Sequence, residues 1–156
     1  MKKPLVIFLG NRIFSDDRIG LEVGALLKDK LHSKGFDVEI LESGGPILLD
    51  YLEGRESVAI VDSVKIEEAC PGEVREISME EFKKTSPASP HYMGLPEVLS
   101  MARQLGLTLP KKIVLIGIVV EDPYTVSEKL SDTLREKLGE IAKKVYERIV
   151  DAISSS

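Results

Sequence analysis

The stretch Pro4 to Gly20, PLVIFLGNRIFSDDRIG, restricts the fold more than any other part of the chain. Leu5 to Leu9 is an unbroken apolar run, Gly10-Asn11 ends it, and Asp16-Asp17 opens a helical pattern soon after. A short strand with no polar face, running through a glycine turn into a helix, predicts the first unit of an α/β sheet. Ligands of open α/β sheets bind beyond the carboxyl ends of the strands. The two carboxylates therefore sit near an expected site, and Asp62 and His91 are the partners that the rest of the chain offers Asp17.

The pattern continues as strands alternating with helices. Ile19, Val23, Leu26, Leu27 and Leu31 have helical spacing, and Gly35 closes that helix. Phe36 to Leu41 reads as strand two and Ile47 to Leu52 as a short helix. Ser57 to Val61 is a second continuous apolar strand, ending at Asp62. Glu73 to Ser78 reads as an edge strand after the Pro71-Gly72 turn. Met79 to Pro90, rich in charge, serine and proline, reads as a long mobile loop, a kind of segment that is usually functional. His91 follows it, before a helix running from about Leu95 to Leu105. Ile113 to Val120 is the longest apolar strand, and Thr125-x-x-Glu128 has the capping-box pattern ahead of a long last helix. Together these elements predict a single α/β domain, a doubly wound, mostly parallel sheet of about five strands with helices on both faces. Strands one and three are expected to be adjacent and central, since both are apolar throughout.

Composition excludes several classes. A net charge of −5 argues against a general nucleic-acid binder. No apolar run approaches the ~18 residues that cross a bilayer, so no membrane role is expected. The single cysteine, Cys70, permits no internal disulfide and fits the cytoplasm. Asn11 and Gln104 are the only side-chain amides among many charges, a balance that points to a thermophile.

Each chemistry-bearing residue has an ordinary reading beside its functional one. Asp16 suits a helix N-cap, and the same helix field keeps Asp17 ionised, as a metal ligand must be. Asp62 could form a turn, but packing explains a carboxylate at the end of a buried strand poorly. A lone histidine is weak evidence, yet His91 falls on the sheet's carboxyl rim. Asp17, Asp62 and His91 form a mixed oxygen and nitrogen set suited to nickel, zinc or iron, with a position left open. Glu42-Ser43-Gly44-Gly45 is an ordinary loop or part of the site's rim. His32 suits the end of its helix, and Cys70 reads as a structural or surface thiol.

In order along the chain, these motifs resemble those of the nickel-iron hydrogenase maturation endopeptidases. Gly10-Asn11-x-x-x-x-Asp16-Asp17-x-x-Gly20 is similar to the family's first motif. Glu42-Ser43-Gly44-Gly45, Val61-Asp62, Pro71-Gly72, Pro90-His91-x-x-Gly94-Leu95 and Lys111-Lys112-Ile113-x-Leu115-x-Gly117 resemble the segments that follow. Pro46 and Arg18 depart from it, the first replacing a usual threonine and the second a commonly small residue. The resemblance implies an endopeptidase that removes a C-terminal extension from the hydrogenase large-subunit precursor once nickel is in place. It implies that Asp17, Asp62 and His91 contact a nickel ion supplied by that precursor, with no tightly bound cofactor in the free enzyme. Glu42, Gly44 and Gly45 would then line the substrate. The attacking group is left open: a water activated by Asp17, Asp62 or Glu42, or one polarised by nickel. Two alternatives stand beside this reading, a non-catalytic nickel-dependent maturation chaperone and a phosphoacceptor signalling domain. The second needs a lysine after strand five, and Lys111 and Lys112 precede it.

Overall fold

In the computed structural model, which describes residues 2–42, 45–84 and 95–153, the run Leu5–Leu9 forms β1 with all of its residues buried. The other strands are β2 (Asp37–Leu41), β3 (Ser57–Val64), β4 (Val74–Ile77) and β5 (Lys112–Val119). They make one five-stranded sheet in the order β2-β1-β3-β5-β4, parallel except for β4 at the edge. β1 and β3 are adjacent and internal, as their apolar character requires.

The helices are α1 (Ile19–Ser33), α2 (Leu48–Leu52), α3 (Met79–Lys84), α4 (Leu95–Gln104) and α5 (Asp132–Ile153). α1 and α5 cover one face, where Val6, Phe8, Ala59 and Val61 pack against Val23, Leu27, Val145 and Ile149. α2 and α4 cover the other, where Leu5, Ile7, Val58 and Ile60 meet Leu48, Leu52, Val98 and Leu99. Side chains alternate across a strand, so each internal strand feeds both layers. The chain leaves β1 toward β2 on one side and returns as β3 on the other, which makes the β1–β3 boundary the switch point of the sheet.

Three boundaries differ from the sequence reading. β3 runs to Val64, so Asp62 lies inside the strand and does not end it; β5 pairs with it residue for residue up to Val64↔Val119. Met79 does not begin a loop, because α3 forms there. Ser78 and Glu81 make a capping box, with Glu81 N–H donating to Ser78 Oγ at 3.1 Å and Ser78 N–H to Glu81 Oε1 at 3.5 Å. Residues 85–90 of the expected loop lie outside the described residues. Thr125 does not cap the last helix: its hydroxyl and backbone N–H donate to Asp122, and α5 begins seven residues on, where Ser131 accepts from Leu134 N–H at 3.4 Å.

Asp16 is the larger correction. It caps no helix; it is fully buried in a 3₁₀ turn, Asp16–Arg18, that precedes α1. Its carboxylate accepts from Glu121 N–H at 3.1 Å, Asp122 N–H at 2.7 Å and Ser131 N–H at 2.7 Å. Its own N–H donates to Asp122 O. The β1–α1 and β5–α5 connections are thereby tied together. Ser15 N–H to Thr125 O and Ser127 N–H to Ile13 O continue the tie as a short antiparallel ribbon about the Phe14↔Val126 bridge.

Gly20 permits the other close approach. A Cβ there would stand 2.0 Å from the Leu9 carbonyl oxygen, so the first turn of α1 rests on the end of β1. Gly20→Ala is expected to cost about 1–3 kcal/mol. Gly139→Ala, in the exposed interior of α5 where nothing stands in the way, should gain about 1 kcal/mol. Asp16→Ala strands the N–H donors it now satisfies and should cost at least about 3 kcal/mol. Urea unfolding of the three variants measures all of these.

Candidate functional site

The site is built at the switch point. Asp17 follows Asp16 in the 3₁₀ turn beyond β1 and is completely buried. Asp62 projects from β3, next to the end of β1, and is 2% exposed. The structure thus brings together two of the expected ligands, one from the turn that follows β1 and one from β3. Ser63, equally buried, links them: its hydroxyl donates to Asp17 Oδ1 at 2.8 Å and its backbone N–H to Asp62 Oδ1 at 2.6 Å. Alternation explains how one residue reaches both. The backbone of Ser63 lies beside Asp62, while its side chain points to the opposite face, where α1 starts.

Sequence reasoning missed Ser63. The available signal was a hydroxyl inside an apolar strand, directly after an acid.

Electrostatically the pair is costly. Burial pushes the Asp62 carboxyl well above its usual range, and the neighbouring Asp17 carboxylate raises it further. The Ser63 N–H and hydroxyl act in the opposite sense and do not offset this. Asp62 Oδ2 is buried with no hydrogen-bond partner among the described residues. A carboxyl so placed either keeps its proton or awaits a cation.

The remaining predicted residues fall elsewhere. Glu42 follows β2 on the rim, exposed, with Oε2 3.4 Å from Arg12 Nε, and it is not joined to the buried pair. Gly45 opens a 3₁₀ turn, Gly45–Ile47, with φ +64. Gly44 and His91 lie outside the described residues. Among the described residues, no group of three or more His, Cys, Asp or Glu could hold a metal ion. Cys70 is free and exposed, and His32 sits in the last turn of α1. No helix among the described residues is long and apolar enough to cross a membrane.

The hydrogenase maturation protease family model, HycI, matches residues 21–148. That span takes in Glu42, Asp62 and His91 and begins just after Asp17. Similar solved structures carry the match across the first strand. The hydrogenase maturating endopeptidase HybD from E. coli is 26% identical, with 96% of this chain and 93% of that one covered and a TM-score of 0.74. The [NiFe] hydrogenase maturation protease HybD from Thermococcus kodakarensis is also 26% identical, with 94% and 98% covered and a TM-score of 0.65. A hydrogenase 2 maturation peptidase from a Thaumarchaeota archaeon gives 26% identity, 97% coverage of both chains and a TM-score of 0.67. The curated proteins give no match. The family match reaches from the first helix into the last, and the endopeptidase structures share the whole sheet architecture; the chain belongs to the hydrogenase maturation protease family.

Proposed function

We propose that this enzyme removes the C-terminal extension of a nickel-iron hydrogenase large-subunit precursor after nickel insertion, and that its site reads the nickel carried by that precursor. One observation above all supports the reading: two buried carboxylates converge on a single serine, and no basic side chain contributes to the Asp62 shift. A carboxylate buried for structure alone would be expected to have a cation beside it, and none is among the causes of the Asp62 shift. Here the missing positive charge is that of the substrate. Asp17 and Asp62 contact the nickel, and His91 is the third donor that the family resemblance implies. Precursor without nickel brings no cation to the pair and binds weakly, which supplies the specificity.

Binding then positions the scissile bond, and hydrolysis needs a water and a base. Asp17 and Asp62 are better placed for that proton than Glu42, which stands exposed on the rim in an ion pair. Ser63 holds both carboxylates in register.

The test is the mass of the large subunit after incubation with purified enzyme, with and without nickel in the precursor. Cleavage of the loaded form alone supports the proposal. Nickel-dependent binding with no cleavage by the wild type would leave only a chaperone. Asp62→Asn and His91→Ala should reduce cleavage to background, whereas His32→Ala and Cys70→Ala should cleave normally. Ser63→Ala should reduce it by about 10–100-fold, with Ser63→Thr recovering part of the loss.

Asp62 also predicts a stability signature in the metal-free enzyme. Its folded pKa is raised above the unfolded value of 3.8, so folding takes up protons. Near about pH 3 the carboxyl is largely protonated in both states and costs little; the penalty grows as pH rises above the unfolded value of 3.8 and levels off above the folded one. Asp62→Asn should therefore match the wild type in unfolding free energy at about pH 3 and exceed it at about pH 7. Equal or lower stability at neutral pH would mean that the carboxylate is structurally satisfied.

A further inference from the structure

The apolar run of β5 is broken at one position, Gly117, which has no side chain to pack. Glycine weakens the interior of a strand, and its presence there often marks a close approach of other groups. The ladder pairs Gly117 with Asp62, and Ile60↔Leu115 and Val64↔Val119 flank that pair. Paired positions of a parallel ladder share a face of the sheet. The bare position at Gly117 therefore lies on the face to which the Asp62 side chain belongs, one strand spacing of about 4.8 Å away.

Two neighbours take the space over Gly117. A Cβ there would stand 2.3 Å from Ile77 Cδ1 of β4, and 2.8 Å and 3.1 Å from the two Cγ atoms of Val64. The two contacts differ in what they can absorb. Cδ1 is the far end of the Ile77 side chain and can swing aside. Val64 is branched at Cβ, is stiff about its first torsion, and is buried, so its Cγ atoms have little freedom to turn away. A push on Val64 thus passes into the backbone of β3. The residue before it is Ser63, whose N–H holds Asp62 at 2.6 Å and whose hydroxyl holds Asp17 at 2.8 Å.

We propose that Gly117 is a positioning residue for the acid pair: its missing side chain lets Val64 seat against β5, and that seat fixes Ser63 and, through it, both carboxylates. The inference rests on the endopeptidase reading, in which Asp17 and Asp62 meet the nickel of the precursor. Gly117 acts through Val64 and Ser63. The two bonds from Ser63 reach acids on opposite sides of one strand, so a small rotation of β3 at this point cannot keep both at bonding distance. A misplacement of about 1 Å in a catalytic site can cost about 100-fold in rate. The glycine that closes the Lys111-to-Gly117 motif thereby belongs to the site, although it lies on the strand beside it.

Two measurements separate the positioning role from the reading it rests on. The Ser63 amide proton, followed by NMR in isotope-labelled enzyme, reports the short bond to Asp62 without any cleavage. The mass of the processed large subunit gives kcat/KM for nickel-loaded precursor, expressed per folded enzyme. Gly117→Ala should move the Ser63 amide upfield and lower kcat/KM about 10–100-fold. Adding Val64→Ala removes the two crowding carbons. It should return the amide toward its wild-type position and recover about tenfold of the rate. Gly54→Ala, at φ +79 in the turn before β3, should lose stability in urea and cleave as the wild type does. Val64→Ile crowds the same contact from β3 and carries the test, with the same direction in both readouts, if Gly117→Ala does not fold. A Ser63 amide that stays in place in Gly117→Ala, or that does not return when Val64→Ala is added, overturns the positioning role. So does undiminished cleavage by Gly117→Ala where the wild type cleaves, and the endopeptidase reading then stands. Amide effects intact with no cleavage by the wild type overturn that reading and leave the positioning of the acids standing.

Discussion

The burial of β1 on both faces is the constraint on which the rest depends. A strand with no polar side cannot lie at an edge or against water, so it needs a neighbour on each side and a helix layer above and below. β2 and β3 take the two sides, and α1 and α2, joined by α5 and α4, take the two faces. Once the chain must leave β1 in one direction and come back in the other, the β1–β3 boundary becomes the switch point of the sheet. Asp17 and Asp62 lie buried beside that boundary as a result of topology. Gly20 sets the depth of the arrangement by letting α1 sit directly on the end of β1.

The acid pair at the switch point is held at some cost in stability. Two acids share a water-poor position, one bonded to the Ser63 hydroxyl and the other to its backbone N–H. Natural sites of recognition often hold groups in environments that penalise them until a ligand arrives. The chain around the pair is correspondingly rigid: both flanking strands are internal, and the turn that carries Asp17 is fixed by Asp16 to the opposite connection. That fixed frame keeps the acids from relaxing into solvent.

Much of this was legible in the sequence, and for definite reasons. Continuous apolar runs announce internal parallel strands, so the adjacency of β1 and β3 and the convergence of Asp17 with Asp62 followed from period and position. What was not legible depends on distance along the chain or on competing patterns. Asp16 looks like a cap because the donors it accepts from, starting 105 residues downstream, are invisible to local reasoning. Asp62 looks like the end of a strand because a buried acid interrupts the apolar pattern, although the ladder to β5 continues to Val64. Ser78-x-x-Glu81 is a helix start in plain view, masked by the proline- and serine-rich residues that follow it. Ser63 carried no periodic signal, since its role comes from two contacts on opposite faces of one strand.

The tie between the two connections has a consequence for how such enzymes can be re-engineered or diverge. Residues 11–16 and 121–131 are separate in sequence yet behave as one piece of surface, since the Asp16 carboxylate, the Ser15–Thr125 bond and the Ser127–Ile13 bond hold them in a single register. A graft of either segment alone from a related chain would import one half of a mated pair and leave buried N–H groups facing the wrong acceptors. Exchange is feasible only as a cassette, both segments at once. Insertions are then tolerated only outside the span that Asp16 bridges, so variation in length and variation in surface chemistry are uncoupled: the first is confined to other loops, and the second is free to act at Ile13 and Val126 without disturbing the acid next door.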